Sequence, residues 1–146
     1  MFLTGTFERN LDAKGRLSLP ASLRKDLGED RVYVMAAPEA DANALFVYTQ
    51  ASFQAWVEDV FESHGGYNPR DKKDVKLRRL LNAAANAIEI DSAARVSLPE
   101  QLRSKKGIGR EVTVVGNTDH FEIWDRASWE GMNEESQDDL EALLFS

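Results

Sequence analysis

Two arginines that each follow an aspartate at the same short distance are the strongest candidates for chemistry in this chain. Arg16 comes four residues after Asp12, and Arg95 comes four residues after Asp91. An Asp–Arg ion pair at this spacing could serve only to hold a tight turn together. The same guanidinium has a planar fork of donors that matches guanine O6 and N7 or a phosphate, so it could instead bind DNA. The residue types leave both interpretations open, and both can hold at once.

The chain offers few other groups for catalysis or metal binding. It has no cysteine, which excludes disulfides, thiol catalysis and cysteine-type zinc sites, and its two histidines are His64 and His120. No nucleophile elbow, Walker motif or HExxH motif is present. The segment 107–110 (GIGR) resembles a phosphate-binding loop, but it follows a predicted helix and precedes a strand, the wrong order for a dinucleotide site. We therefore predict that the protein is not an enzyme and has no cofactor, no metal and no small-molecule substrate.

The distribution of charge changes a first expectation from composition. The 146 residues carry 25 acidic and 18 basic side chains, a formal charge of −7, and an acidic protein is on that ground a poor partner for nucleic acid. Three segments are nevertheless basic, namely residues 1–25 at +3, 70–79 at +4 and 91–110 at +3. The first and third contain Arg16 and Arg95. Local charge therefore permits DNA binding, and the acidic remainder limits nonspecific affinity.

The two Asp-x-x-x-Arg turns belong to an internal repeat. Residues 11–24 (LDAKGRLSLPASLR) match residues 90–103 (IDSAARVSLPEQLR). The similarity continues in the same order at two later places, where residues 31–36 match 110–116 and residues 45–53 match 121–129. A repeat of this length indicates duplicated structure, and two such copies usually share one interface.

Each copy is predicted to fold as β-β-α-β-β-α. A strand leads into the turn, and a second strand leads out with alternate apolar residues on one face. Gly15 tolerates an unusual φ in the first turn, whereas at Ala94 either φ stays negative or strain is accepted. The boundaries of the helices are marked by Pro20 and Pro99, Gly28 and Gly107, and the N-cap candidates Thr49 and Asp125.

Three longer helices are expected to bury apolar faces. The helix after Thr49 would bury Phe53, Trp56, Val57, Val60 and Phe61. A helix over residues 70–86 would direct towards the core Val75, Leu77, Leu80, Leu81 and Ala84. The C-terminal helix would bury Trp129, Met132, Leu140, Leu143 and Leu144.

The breaker cluster HGGYNP at 64–69 separates the copies. We predict a first repeat over residues 1–64, a connecting segment with the start of the basic helix over 65–80, and a second repeat with the C-terminal helix over 81–146.

Three segments, MFLTGTFERNLDAKGRLSLPASLR, IDSAARVSLPEQLR and VGNTDHFEIWD, resemble the MraZ family of bacterial transcriptional regulators. Two D-x-x-[GA]-R turns 79 residues apart are a specific signature, and outside residues 130–146 the similarity covers nearly the full chain. The resemblance implies an α+β fold in which two AbrB-like swapped-hairpin halves form a pseudo-twofold β-barrel flanked by helices. It also implies a ring-shaped homo-oligomer.

The resemblance further implies a function and a set of residues. The family binds short direct repeats upstream of the division and cell-wall gene cluster, usually repressing that operon, which includes its own gene. Carried over by position, the DNA-binding residues are Asp12, Lys14, Gly15 and Arg16 in the first copy and Asp91 and Arg95 in the second. Because the second copy lacks the lysine, we expect unequal halves. On charge alone, possible phosphate contacts are Arg9, Arg24 and Arg103.

We therefore expect a sequence-specific repressor that binds double-stranded DNA in the cytoplasm, associated with the nucleoid. No 18-residue apolar run and no signal-type N-terminus is present, so no membrane partner is expected. The basic segment 70–79 would contact a neighbouring subunit or DNA, and pairing with acidic segments favours the subunit. The alternative is an AbrB-fold antitoxin-like module that binds a protein, although such modules typically have one copy per chain and a disordered tail.

Overall fold

Each copy of the repeat folds into the same order of elements in the computed structural model, which describes residues 1–136 and 139–145. The first copy consists of β1 (Thr6–Asn10), β2 (Arg16–Ser18), α1 (Ala21–Leu27), β3 (Arg31–Ala36), β4 (Ala44–Tyr48) and α2 (Gln50–Glu62). The helix α3 (Lys72–Ala84) follows. The second copy consists of β5 (Asn86–Glu89), β6 (Arg95–Ser97), α4 (Glu100–Lys106), β7 (Glu111–Asn117), β8 (His120–Asp125) and α5 (Arg126–Ser136), with α6 (Asp139–Phe145) after it.

The strands form an open six-stranded antiparallel sheet and a separate two-stranded one. The larger sheet has the order β1-β7-β8-β4-β3-β5, and β2 pairs with β6. The first strand of each copy pairs with the third strand of the other, β1 with β7 and β5 with β3. The α+β class is confirmed. A closed barrel is not found in the part of the chain that the structure describes, since β1 and β5 end the larger sheet on opposite sides.

Both faces of the larger sheet are covered by apolar side chains. In β4, Leu45 and Val47 belong to one buried cluster, while Phe46 and Tyr48 belong to the other. This follows from the alternation of side chains along a strand. The second cluster lies under α2, and the first includes residues of the small sheet β2–β6.

The small sheet is anchored on the core by its middle residues. Leu17 and Val96 lie opposite each other, and both are 0% exposed. Because side chains alternate, Arg16 and Arg95 extend from the outer face of the same two strands. The buried pair therefore sets the direction in which both arginines extend.

The helix α2 forms as its sequence predicts. Thr49 caps it, since its Oγ1 accepts the Ser52 N–H at 3.1 Å and the Ser52 Oγ accepts the Thr49 N–H at 3.0 Å. Phe53, Val57 and Phe61 are buried, and Trp56 and Val60 are partly buried. The capping box and the apolar stripe thus both indicate a helix over the same residues.

The other two predicted helix faces are only partly right as core contacts within this chain. Leu81 and Trp129 are partly buried and pack against the second cluster, as predicted. In α3 the side chains of Leu77 and Leu80 are exposed, and the residue that is buried is Asp74. At the C-terminus the exposed side chains are Met132, Leu140, Leu143, Leu144 and Phe145. An apolar stripe shows that a face needs a partner, but it does not show that the partner belongs to the same chain.

The predicted helix ends are partly right. Gly28 and Gly107 end α1 and α4 with φ values of 67° and 65°. Pro20 and Pro99 lie one residue before the first helical position. Asp125 precedes α5, but its Oδ1 accepts the Gly109 N–H at 3.0 Å, so the carboxylate fixes a loop and not the helix N-terminus. None of the described helices is long and apolar enough to cross a membrane.

Candidate nucleic-acid interface

Each candidate turn is held together by its aspartate. Oδ1 of Asp12 accepts the N–H groups of Lys14 and Arg16, both at 2.9 Å, and Oδ2 accepts Nε–H of Arg16 at 2.6 Å. Asp91 repeats this arrangement with Ala93 and Arg95, at 2.9, 2.9 and 2.8 Å. The aspartates are therefore the residues that shape the turns.

The ion pairs occupy only part of each guanidinium. Asp12 and Asp91 accept from Nε of Arg16 and Arg95, and no described residue accepts from the terminal nitrogens of either arginine. An arginine has five N–H donors, so the terminal part of the fork is free for a ligand. The structural and the DNA-binding interpretations of these residues are thus compatible.

The two turns lie side by side and form one surface. The Leu19 N–H donates to the carbonyl of Ala94 at 2.9 Å, and the Leu98 N–H donates to the carbonyl of Gly15 at 3.0 Å. Each turn is therefore bound to the strand that leaves the other.

The same pairing sets the spacing of the two arginines. Arg16 lies opposite Ser97, and Arg95 lies opposite Ser18. The arginines are thus diagonal neighbours on one face, with Cα atoms roughly 7–8 Å apart. The repeats bring Asp12, Lys14, Gly15, Arg16, Asp91 and Arg95 together at this surface.

Hydrogen bonding lowers the pKa of both turn carboxyl groups. For Asp12 the largest cause is the backbone N–H of Arg16, and for Asp91 it is the backbone N–H of Arg95. Both aspartates are therefore anionic throughout the neutral range, and each remains paired with its arginine.

We expect Asp12→Asn to lower the melting temperature at pH 7. Because the folded-state pKa of Asp12 is lowered, this stabilisation is present above pH about 4 and is lost as pH falls through the folded-state pKa. The difference in melting temperature between wild type and variant should therefore shrink in acid. Asp26→Asn is the control, since Asp26 forms no ion pair with a described residue. A difference that stays constant from pH 7 to pH 3 would contradict this role.

Ala94 adopts a conformation that L-residues rarely take. Its φ is +58°, close to the +74° of Gly15 in the other turn. Strain is therefore accepted in the second turn, because the pattern of hydrogen bonds around Asp91 requires the same backbone path.

We expect Ala94→Gly to stabilise the protein by roughly 0.5–1 kcal/mol. The left-handed conformation costs an L-residue about 1–2 kcal/mol, and the greater freedom of glycine in the unfolded chain offsets about 0.4–1 kcal/mol of that gain. Urea denaturation followed by circular dichroism measures the difference. The neighbouring Ala93, whose φ is not positive, provides the control, and Ala93→Gly should destabilise. Equal effects of the two substitutions would show that the strain at Ala94 is negligible.

The three flanking arginines differ in their surroundings. Arg9 is on β1, where its Nη1 donates to the Glu8 carbonyl at 2.9 Å, and it forms no bond with either turn. Arg24 forms an ion pair with Asp30 at 2.7 Å. Arg103 lies against Gly15, so of the three it is the one brought to a turn.

The histidines occupy separate sites, each beside a carboxylate. His64 Nε2 is 3.3 Å from Asp74. His120 lies between Asp119 and Glu122, at 2.8 Å from each, and stacks on Tyr48. Burial alone would lower the pKa of His120, but hydrogen bonds to Glu122 and Asp119 outweigh it and raise the pKa. Among the described residues no contact joins the histidines to each other.

Sequence reasoning missed Arg110 as a neighbour of the first turn. The Leu11 N–H donates to the carbonyl of Arg110 at 2.8 Å, which places this arginine beside Asp12. The segment 107–110 had the composition of an anion-binding loop, but its position next to the other repeat depends on the pairing of β1 with β7.

The fold and the site define a duplicated α+β protein that displays one arginine-bearing turn per repeat on a shared outer face. The family model described as "MraZ protein, putative antitoxin-like" matches residues 2–65 and 81–143. The chain therefore belongs to the MraZ family, and this membership makes it a regulator of the AbrB-like kind.

Proposed function

We propose that the protein is a sequence-specific DNA-binding transcriptional regulator that acts by binding, without catalysis, cofactor or metal. The observation that carries this proposal is the pairing of the two turns. It puts Arg16 and Arg95 on one outer face, where their terminal N–H groups bond to no described residue. The major groove of DNA admits a two-stranded β-ribbon, and arginine forks bind guanine there. The ribbon formed by β2 and β6 has the form and the chemistry that this contact needs.

The strand exchange supports the finer description of the fold as two AbrB-type swapped hairpins. The first strand of each repeat leaves its own repeat to pair with the third strand of the other. In this description, the two DNA-binding turns are the short connections that join β1 to β2 and β5 to β6.

Assembly into a ring of identical subunits belongs to the same proposal. Its support is the exposed apolar surface of α3 and α6, where Leu80 is 55% and Phe145 is 82% exposed. A soluble chain rarely exposes such residues together unless a partner covers them. The basic face of α3 would meet acidic residues of a neighbouring subunit, and several copies of the turns would then bind repeated sites with a gain in effective concentration.

The proposed target is the promoter of the division and cell-wall gene cluster that contains the protein's own gene. Binding to direct repeats there would repress transcription, and the protein would be cytoplasmic and associated with the nucleoid. The segregation of basic turns from acidic surroundings supports selective binding, since the net charge of −7 weakens nonspecific contact with phosphates.

A gel-shift titration tests this function directly. The probe is a duplex from the region upstream of the protein's own gene, and the control is a scrambled duplex of the same composition. We expect tighter binding to the upstream duplex and an affinity that falls linearly on logarithmic axes as salt rises. Equal affinity for the two duplexes would contradict sequence-specific binding.

The second candidate function is antitoxin-like binding of a protein partner. It is favoured by the antitoxin-like description of the family and by the exposed apolar residues of α6, such as Leu143 and Phe145. Oligomeric state separates the candidates: a ring that disperses in Leu143→Lys indicates that a second copy covers α6. A stable monomer that leaves α6 uncovered would favour a different protein as its partner.

A further inference from the structure

The two turns lie beside loops that carry opposite charges. The Leu11 N–H donates to the carbonyl of Arg110, and the Ile90 N–H donates to the carbonyl of Asp30, both at 2.8 Å. Leu11 and Ile90 are matching residues of the repeat, each directly before its aspartate. Arg110 therefore occupies the place in one repeat that Asp30 occupies in the other.

A difference in loop length produces this reversal. Gly28 and Gly107 both end a helix with φ near +65°, and Val32 and Val112 both lie fully buried in the strand that follows. The second loop is one residue longer, so the residue that reaches the turn is an arginine.

The matching arginines of α1 and α4 consequently have different partners. Arg24 donates from Nη2 to Asp30 at 2.7 Å and from Nη1 to the carbonyl of Glu29 at 2.9 Å, so both of its terminal nitrogens already have an acceptor. Arg103 has Arg110 in the place of that aspartate, and it forms no ion pair with a described residue. Its Nε donates to the carbonyl of Leu98 at 3.2 Å.

The residue at the positive-φ position allows Arg103 to reach the first turn. A Cβ on Gly15 would lie 2.5 Å from Nη2 and 2.6 Å from Cζ of Arg103, so the guanidinium covers the bare glycine backbone. In the second turn Ala94 has a Cβ at this position. The first turn thus receives a cation from the other repeat, in addition to its own Lys14 and Arg16.

An open pocket of about 480 Å³ is lined by residues of the first turn and by the loop after α4. Arg103 and Arg110 both line it, and Asp12 is the acidic residue among its lining residues. Both carboxylate oxygens of Asp12 already accept hydrogen bonds from the turn. The pocket therefore combines two arginines that form no ion pair with a described residue with enough space for a phosphate group.

We propose that this pocket binds one phosphate of the DNA backbone, and that the second turn has no matching phosphate site. The inference rests on the proposed DNA-binding function and extends it. Arg103 and Arg110 would fix the first turn on the backbone while Arg16 contacts a base edge. Each subunit then docks asymmetrically, with the first repeat bound more tightly to phosphate than the second.

Salt dependence tests this inference with a matched pair of variants. Affinity for the upstream duplex is measured by fluorescence anisotropy over a series of salt concentrations, for wild type, Arg103→Gln and Arg24→Gln. The slope of log affinity against log salt should fall in magnitude by about 0.9 for each phosphate that Arg103→Gln no longer neutralises. It should be unchanged in Arg24→Gln, because both terminal nitrogens of Arg24 already donate to the loop that contains Glu29 and Asp30.

A second variant tests the pocket while the Arg103 side chain is kept. Arg110→Asp gives Arg103 the carboxylate that Arg24 has, and it should reduce the slope by at least as much as Arg103→Gln. Preference for the upstream over the scrambled duplex should persist in both variants, as expected for a phosphate contact. Melting temperature and oligomer size should match those of wild type.

The outcomes separate the pocket from the function on which it rests. A wild-type protein that does not prefer the upstream duplex would overturn the proposed function and the pocket with it. A wild-type protein that prefers it, while Arg103→Gln and Arg110→Asp keep the wild-type slope, would overturn the pocket alone. Equal reductions in Arg103→Gln and Arg24→Gln would also overturn it, since they would show only an effect of net charge.

Discussion

Arg16→Ala should weaken specific binding to the upstream duplex on the order of 10- to 100-fold, because a bidentate arginine–guanine contact contributes about 1–3 kcal/mol of discrimination. Asp12 holds Nε of this arginine at 2.6 Å, so its terminal N–H groups are presented in a fixed direction and with little remaining freedom to lose. The measurement is a titration of the upstream and scrambled duplexes at a single salt concentration. Arg95→Ala should reduce affinity less, because the second turn lacks the lysine and the flanking cations of the first.

Two controls separate base recognition from charge and from folding. Arg16→Lys keeps the positive charge but removes the planar fork, so it should retain binding to the scrambled duplex and lose most of the preference for the upstream one. Arg24→Ala removes an arginine that is already paired, and its binding should resemble that of wild type. Specific binding that survives Arg16→Ala and Arg95→Ala together, with the fold and oligomer intact, would show that these turns are not the DNA-binding site.

Gly116→Ala should destabilise the protein by roughly 2–3 kcal/mol, because a well-packed site has no space for the added methyl group. Its Cβ would lie 2.5 Å from the backbone nitrogen of Thr4 and 2.7 Å from the carbonyl carbon of Leu3. These are backbone atoms held by hydrogen bonds between Leu3 and Thr118 at 2.9 and 2.8 Å. Thermal unfolding measures the decrease in stability. The buried Leu3 side chain would have to move with its backbone, so the cost includes packing in the core.

Gly131→Ala is the matched control. Gly131 is on α5, and beyond the backbone of its own helix a Cβ there would meet no atom of the described residues within 4 Å. Alanine is a better helix former than glycine by about 1 kcal/mol, so this substitution should be neutral or slightly stabilising. Similar melting temperatures for Gly116→Ala and Gly131→Ala would show that the N-terminal segment can shift freely away from β7.

Local structure could be predicted where a few neighbouring residues determine it. Asp12 and Arg16 form their turn from hydrogen bonds that span at most four residues, and Thr49 caps α2 through a bond to Ser52. Repetition strengthened these predictions, because Asp91 and Arg95 form the same turn even though Ala94 must accept a positive φ. Such features depend on backbone geometry and hydrogen-bond reach, and both can be deduced from sequence spacing.

The predicted partners of the apolar helix faces were less reliable. Leu77 and Leu80 in α3, and Leu143 in α6, have the spacing of core residues, yet they are exposed in the single chain. The periodicity of apolar residues shows which face of a helix gains free energy when it is buried. That gain is the same whether the covering surface belongs to this chain or to a second one.

The sequence by itself determined the duplication, the two Asp–Arg turns and the order of elements within each repeat. Only the tertiary structure decided which charges surround each turn. Arg24 and Arg103 are equivalent in sequence, but one meets Asp30 and the other lies over Gly15 beside Arg110. The reason is that the loops carrying Asp30 and Arg110 each lie beside the turn of the other repeat, which follows from strand exchange, and that the second loop is one residue longer. A local sequence pattern does not show which distant residue will lie beside a turn.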